Sequence, residues 1–252
     1  MALAGKHAFV TGGGRGIGRA VAAALARAGA AVTVIGRTEA PLREAVAAGE
    51  AAGCGVADVT DVVEVKRQVT AAEAARGPIA ILINNAGSVE SGPFIKADPS
   101  VFRAMWNVHL MGAVYATQAV LPGMIERGFG RIVNVASTAG LRGYAYISAY
   151  CAAKHALVGL TRALAAETAA RGVTVNAVCP GYTDTELVRD SIERVAAKTG
   201  RAQADVLAEY AKDAPIGRLI RPEEVAAAVV YLCSPEAAAV TGTTLAIAGG
   251  EM

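Results

Sequence analysis

The chain has 252 residues, 54% hydrophobic and 18% charged, which suffices for one large core and is short for two full domains. A net charge of +2, with both signs interspersed and no basic run, argues against nucleic acid as a partner. Met1 to Val10 lacks the apolar stretch of a signal peptide, and no apolar run reaches about 18 residues without a charge or glycine, so a cytoplasmic protein with no membrane span is expected.

In chain order, short β-branched runs alternate with longer Ala-rich stretches. His7–Thr11 reads as a strand, Ile17–Ala28 as an amphipathic helix and Ala31–Gly36 as a second strand. A helix starts near Glu39, a short strand covers Val56–Ala57, and a helix covers Val62–Ala75. Ile79–Asn84 is apolar almost throughout, as suits a strand covered on both faces. Two helices follow, Ser100–Trp106 and Leu110–Arg127, then a strand over Arg131–Ala136. Ser148–Ala170 reads as a long helix, Val173–Val178 as a strand, Pro222–Cys233 as a helix with Pro in its first turn, and Thr244–Ile247 as the last strand. Repeated strand–helix–strand units imply an α/β fold with a parallel sheet and right-handed crossovers. The polar, helix-prone segment 183–217 interrupts the alternation, and its place after the sixth strand suits a substrate lid on a single domain spanning 1–252. The four cysteines Cys54, Cys151, Cys179 and Cys233 form no C-x-x-C pair and no metal-ligand spacing with histidine. They read as small, mostly buried residues in a reducing compartment, and no metal is expected.

Thr11-Gly12-Gly13-Gly14-Arg15-Gly16-Ile17-Gly18 leaves a strand and enters a helix. Glycines let the backbone approach a pyrophosphate closely, and the helix amino end favours its charge. Where NAD-binding folds usually place an acid at the end of the second strand, this sequence has Gly36 followed by Arg37. Glycine leaves room for a 2′-phosphate and arginine attracts it with a planar fork, with Arg15 able to reach it from the first loop; NADP(H) is the expected cofactor. Tyr150 and Lys154 stand at i and i+4 on one helix face, after Ser137 at the end of the fifth strand. A phenol titrates near pH ~10, too high for an efficient base at neutral pH. One cation about 4 Å away at an effective dielectric of about 20 supplies roughly the 4 kcal/mol needed to bring it to neutrality. Lys154 is therefore expected to prime Tyr150, with help from the charge of the oxidised nicotinamide, and Ser137 to hold the substrate oxygen.

Together with Asn84-Asn85-Ala86-Gly87, Pro180-Gly181 and Gly249-Gly250, these residues resemble the short-chain dehydrogenase/reductase family over essentially the whole chain. The resemblance implies a single-domain Rossmann fold with a seven-stranded sheet in the order 3-2-1-4-5-6-7, helices on both faces, and a homotetramer. It implies Tyr150 as acid/base, Ser137 as the substrate-oxygen partner, and Lys154 on the nicotinamide ribose. It places Asp58 and Val59 at adenine, Asn85, Ala86 and Gly87 at the adenosine ribose, and Thr183 and Thr185, after Pro180 and Gly181, at the carboxamide and phosphates. Many members carry an asparagine in N-x-x-G where this chain, aligned on Gly112, has His109. His109 is either a tolerated side chain or a group that titrates near pH ~6.5 and joins the proton relay.

Val89, Phe94, Ala139, Leu141, Tyr144, Tyr146 and Leu187 are expected around the cleft and favour a substrate with an apolar part. A ketone, above all a 3-oxoacyl thioester, is the expected substrate, with Arg142, Arg103 and Lys96 available to phosphopantetheine or coenzyme A. A secondary-alcohol or cyclic-ketone dehydrogenase is the alternative within the class. A non-catalytic dinucleotide sensor is the alternative outside it, although a sensor has no use for Ser137, Tyr150 and Lys154 together.

Overall fold

The computed structural model describes residues 1–212 and 214–251; Asp213, within the expected lid, and Met252 lie outside the described residues. Seven strands form one sheet: β1 (His7–Thr11), β2 (Ala31–Gly36), β3 (Gly53–Val56), β4 (Ile79–Asn84), β5 (Gly130–Val135), β6 (Val173–Pro180) and β7 (Thr244–Ile247). Their order is β3-β2-β1-β4-β5-β6-β7 and every pairing is parallel, as expected. The central strands β1, β4, β5 and β6 are buried along their whole length, which suits the apolar run of β4, while β5 and β6 bury Arg131, Asn134, Thr174 and Asn176 among their apolar residues. β3 lies three residues before the expected Val56–Ala57. Its Gly-Cys-Gly start carries little β-branched signal, yet its backbone completes the ladder to Thr33–Gly36.

Helices cover both faces. On one, α1 (Gly16–Arg27) and α9 (Pro222–Cys233) pack Val21, Leu25, Val225 and Val229 against Val10, Val34 and Val133. On the other, α3 (Val62–Arg76) brings Val65 and Val69 to Phe9, Ile79, Leu82 and Ile132. α2 (Glu39–Ala47) closes the edge near β3, and α6 (Ser148–Thr168) runs beside β6.

The two helices expected between β4 and β5 are one. α4 (Pro99–Trp106) and α5 (Gly112–Glu126) are joined by a wider π-helical turn over Asn107–Met111. The buried residues Met105, His109 and Ala113 recur every fourth position. A strict α-helix would let that stripe drift by about 40° per step, and the wide turn takes up the drift. The continuous helix Pro99–Glu126 has the length and apolar composition to cross a membrane, more than the run-length criterion anticipated. Here its apolar stripe, including Leu110, Ala116, Val120 and Met124, is buried within the fold.

Segment 183–217 carries two helices, α7 (Glu186–Thr199) and α8 (Gln203–Lys212), with a small core of Ile192, Ala196 and Val206. A backbone bridge between Thr183 and Ile220 draws its two ends together.

Candidate active site

Ser137 leaves the carboxyl end of β5 and caps a single 3-10 turn, Thr138–Gly140, accepting a hydrogen bond from Ala139 N at 3.1 Å. Tyr150 sits one turn into α6, and its hydroxyl is hydrogen-bonded to Ser137. Lys154, one turn further on, is 4% exposed and donates from Nζ to the Val135 carbonyl at 2.7 Å. The three residues expected to act together thus meet at the carboxyl edge of the sheet.

Their electrostatics differ from the expectation. Burial pushes Tyr150 up to about 12, the hydrogen bond from Ser137 opposing it. Burial pushes Lys154 down to about 7. The Lys154 ammonium lies 5.5 Å from the Tyr150 ring centroid with its proton aimed at Val135, so desolvation outweighs the cation in the chain by itself. Tyr150 is held as the protonated phenol, the form that delivers a proton. For Lys154 the sign is clear: a folded value near 7 against an unfolded value near 10.4 penalises folding fully below pH 7, and the penalty fades as pH rises towards 10. Lys154→Met should therefore abolish activity yet raise stability at pH 6 by a few kcal/mol, the gain shrinking by pH 10. Denaturant unfolding at the two pH values checks this; equal gains at both would remove Lys154 as their source.

His109 comes from the wide turn Asn107–Met111. Its ring stands edge-on to Tyr150, with centroids 5.1 Å apart. Nε2 donates to the Ser88 carbonyl at 2.7 Å, while Nδ1 is buried with no protein partner. Burial, reinforced by the Lys154 charge, lowers its titration well below 6.5. Titration near pH ~6.5 is therefore corrected: the imidazole is neutral at physiological pH, with Nδ1 a bare acceptor. It lines, with Lys154, Asn84 and Thr11, a cavity of about 10 Å³, room for one water.

The glycine turn fits a dinucleotide pyrophosphate. α1 has no side-chain cap and no acid in its first turn, whereas Asp61, Asp98 and Thr185 cap α3, α4 and α7. Its first N–H groups therefore have no acceptor within the helix or from a cap. Gly12 has φ +65°, and a Cβ there would lie 2.8 Å from Asn85 Nδ2; one on Gly18 would run into the Gly12 carbonyl. Asn85 pins the turn, donating from Nδ2 to the carbonyls of Thr11 and Gly12 at 3.0 and 3.1 Å, while Thr11 Oγ1 accepts from Asn85 N and Ala86 N. Its amide is thus committed to the protein, and Ala86 and Gly87 present the open backbone. At the end of β2, a Cβ on Gly36 would meet nothing closer than Leu42 at 3.6 Å, and exposed Arg37 has no ion-pair partner among the described residues. Arg15 reaches across the turn to Glu186 of α7 at 3.2 Å, tying loop to lid. Asp58 is engaged locally, its N–H by Glu64 and its carboxylate by Thr60, and Val59 packs inward against Gly112. Pro180 and Gly181 close β6 beside Ser137, Thr183 is buried and donates to the Gly181 carbonyl, and Thr185 caps α7 next to Gly16.

The family model described as short chain dehydrogenase matches residues 6–196. The chain belongs to the short chain dehydrogenase family. It is 42% identical over 247 residues to 2-(S)-hydroxypropyl-CoM dehydrogenase 3 of Xanthobacter autotrophicus, covering 96% of this chain and 94% of that one. It is 40% identical over 254 residues to acetoacetyl-CoA reductase of Shinella zoogloeoides, covering 98% of each. Among solved structures, a point variant of actinorhodin polyketide ketoreductase with NADPH superposes with a TM-score of 0.94 at 36% identity, covering 98% of this chain and 97% of that one.

In this short chain dehydrogenase the wall beside Ser137 has an unexpected keystone. Glu251 is 6% exposed; its Oε1 receives Arg142 Nη2 at 2.8 Å and the Tyr144 hydroxyl, which also bonds Thr138 Oγ1 at 2.7 Å. Its Oε2 has no partner and lies beside Gly181. No periodicity or motif flags a lone glutamate after a final Gly-Gly, so sequence reasoning passes over it. Arg142 is thereby committed to Glu251 and the Tyr144 ring, not free for a phosphopantetheine, while Lys96 and Arg103 are exposed. Ala139, expected on the cleft wall, is buried at 2% exposure because it forms the underside of the Ser137 turn. Phe94, Tyr146 and Leu187 are exposed, at 71%, 66% and 41%. Cys54 is exposed and the other three cysteines are buried. Glu251→Ala should release Tyr144 and Arg142, costing about 1–3 kcal/mol of stability. It should also raise KM for the carbonyl substrate more than it lowers kcat. Steady-state kinetics with thermal unfolding checks both, and an unchanged KM would detach the network from the substrate wall.

Proposed function

We propose that this chain is an NADP(H)-dependent ketoreductase acting on a 3-oxoacyl thioester, in either direction, as a single catalytic domain closed by the lid 183–217. The observation that carries the reading is the meeting of Ser137, Tyr150 and Lys154 beside an uncapped glycine turn whose neighbouring strand ends in Gly36-Arg37. The nicotinamide, when bound, supplies or accepts the hydride. Gly12, Arg15, Gly16, Ile17 and Gly18 hold the pyrophosphate, Arg37 the 2′-phosphate, Asp58 and Val59 the adenine, and Asn85, Ala86 and Gly87 the ribose. Pro180, Gly181, Thr183 and Thr185 line the nicotinamide end. Ser137 donates to the substrate carbonyl oxygen, Tyr150 delivers its proton to the oxygen that becomes the alcohol, and Lys154 holds the nicotinamide ribose. His109 keeps Tyr150 in place and offers Nδ1 to the small cavity behind it.

The exposed aromatic and aliphatic residues at the mouth, with the 40% identity to an acetoacetyl-CoA reductase, support an acyl thioester. The 42% identity to a 2-(S)-hydroxypropyl-CoM dehydrogenase supports the second reading, oxidation of a secondary alcohol. The reading includes a cytoplasmic homotetramer with no nucleic-acid or membrane partner, in which half-exposed Ala-rich surfaces of α5 and α6 pack between copies; light scattering on a sizing column measures the mass. The deciding experiment follows NADPH oxidation across acetoacetyl-CoA, diketones and cyclic ketones, and NADP+ reduction across secondary alcohols. Nucleotide binding without turnover on the whole panel would instead mark a sensor.

A further inference from the structure

Arg131 and Thr174 face each other in the register of β5 and β6. Both side chains emerge on the face covered by α9, at the amino-terminal edge of the sheet, opposite the edge that carries Ser137 and Tyr150. Each residue is only 5% exposed. The Arg131 guanidinium stacks over the Phe129 ring, 4.5 Å from its centroid, and Nη1 donates to the Gly130 carbonyl at 2.9 Å. Its Nε is buried with no acceptor, and no carboxylate pairs with it among the described residues. Thr174 Oγ1 is likewise buried with no partner. Both residues line one cleft of about 440 Å³, walled otherwise by Phe129, Ala169, Ala238 and Thr241 and containing no acidic side chain. A second cation, Lys6, sits 3.9 Å from the centroid of the same Phe129 ring.

A buried guanidinium without a counter-charge, next to a hydroxyl without a partner, is costly unless something completes it. The free Nε edge of an arginine presents parallel donors to two oxygens of one group. The hydroxyl of Thr174 adds a third donor, and the alanine and phenylalanine walls accept a small apolar body. We propose that this cleft is a second ligand site, taking a small oxyanion, a short carboxylate or a phosphate, on Arg131 and Thr174. It stands apart from the catalytic edge and does not depend on the reaction assigned there.

The test is thermal unfolding and titration calorimetry of the full chain with NADPH present. Inorganic phosphate and butyrate are added separately at constant ionic strength, with chloride as the control. The wild type should show a saturable rise in Tm with at least one of the two anions, which also distinguishes phosphate from carboxylate. Arg131→Met should lose that rise, and Thr174→Val should weaken binding about five- to tenfold. Both variants should retain the NADPH oxidation rate of the wild type. An equal rise with chloride, an equal response in Arg131→Met and Thr174→Val, or no saturable response in the wild type would overturn the proposal. So would a change in assembly mass on Arg131→Met, because a second copy would then be what covers the cleft.

Discussion

Tyr150→Phe is expected to lower kcat/KM for ketone reduction by about a thousandfold, within the range that a positioned proton donor contributes. The substitution keeps the ring against His109 and removes only the hydroxyl, with its hydrogen bond to Ser137. The net stability change should be within about 1 kcal/mol, the usual worth of one such bond. Nucleotide affinity should be largely kept, so loss of turnover with intact NADPH binding separates chemistry from folding. Because burial holds Tyr150 near 12, the wild-type residue stays a proton donor across the neutral range. Reduction should therefore persist at neutral pH while alcohol oxidation, which needs the phenolate, climbs towards alkaline pH. A variant retaining more than about a tenth of the wild-type kcat/KM would take the proton transfer away from Tyr150.

The second large effect concerns the nucleotide. On the proposed reading, in which Arg37 meets the 2′-phosphate, Arg37→Asp replaces an attractive fork with a like charge. Loss of charge-assisted hydrogen bonds, each worth about 1.5–3 kcal/mol, plus the new repulsion should cut kcat/KM for NADPH by about a hundredfold or more and reverse the NADPH-to-NADH preference. Arg37 is exposed and pairs with no acid among the described residues, so Tm should not move. Parallel kinetics with both nucleotides checks it; an unchanged preference would leave Arg37 a plain surface charge.

Much of this was legible in the residues because the physics is local. Strands β1, β2, β4 and β7 cover the residues expected of them, and β4, buried on both faces, announces itself as an apolar run. Tyr150 and Lys154 share a face by helical spacing alone. What stayed hidden depends on tertiary neighbours. β3 is defined by the ladder it completes, not by its side chains. In the chain by itself burial outweighs the pull of Lys154 on Tyr150, because only the fold reveals how far both are withdrawn from water. Glu251 is invisible for the same reason, its partners standing 107 and 109 residues away in the chain.

The wide turn at Asn107–Met111 works as a phase adjuster. Closing the ordinary α-helical ladder there without removing a residue would swing everything upstream by about 80° about the helix axis, the two steps of about 40° that the turn now takes up. Met105 would leave the interior and His109 would lose Tyr150, while Gly112 to Met124 stayed seated on the sheet. An uninterrupted α-helix of the same length is thus not a neutral substitute for the segment, whereas the loss of one residue there, leaving about 700° of rotation in seven steps, would keep Met105 and Ala113 on one face.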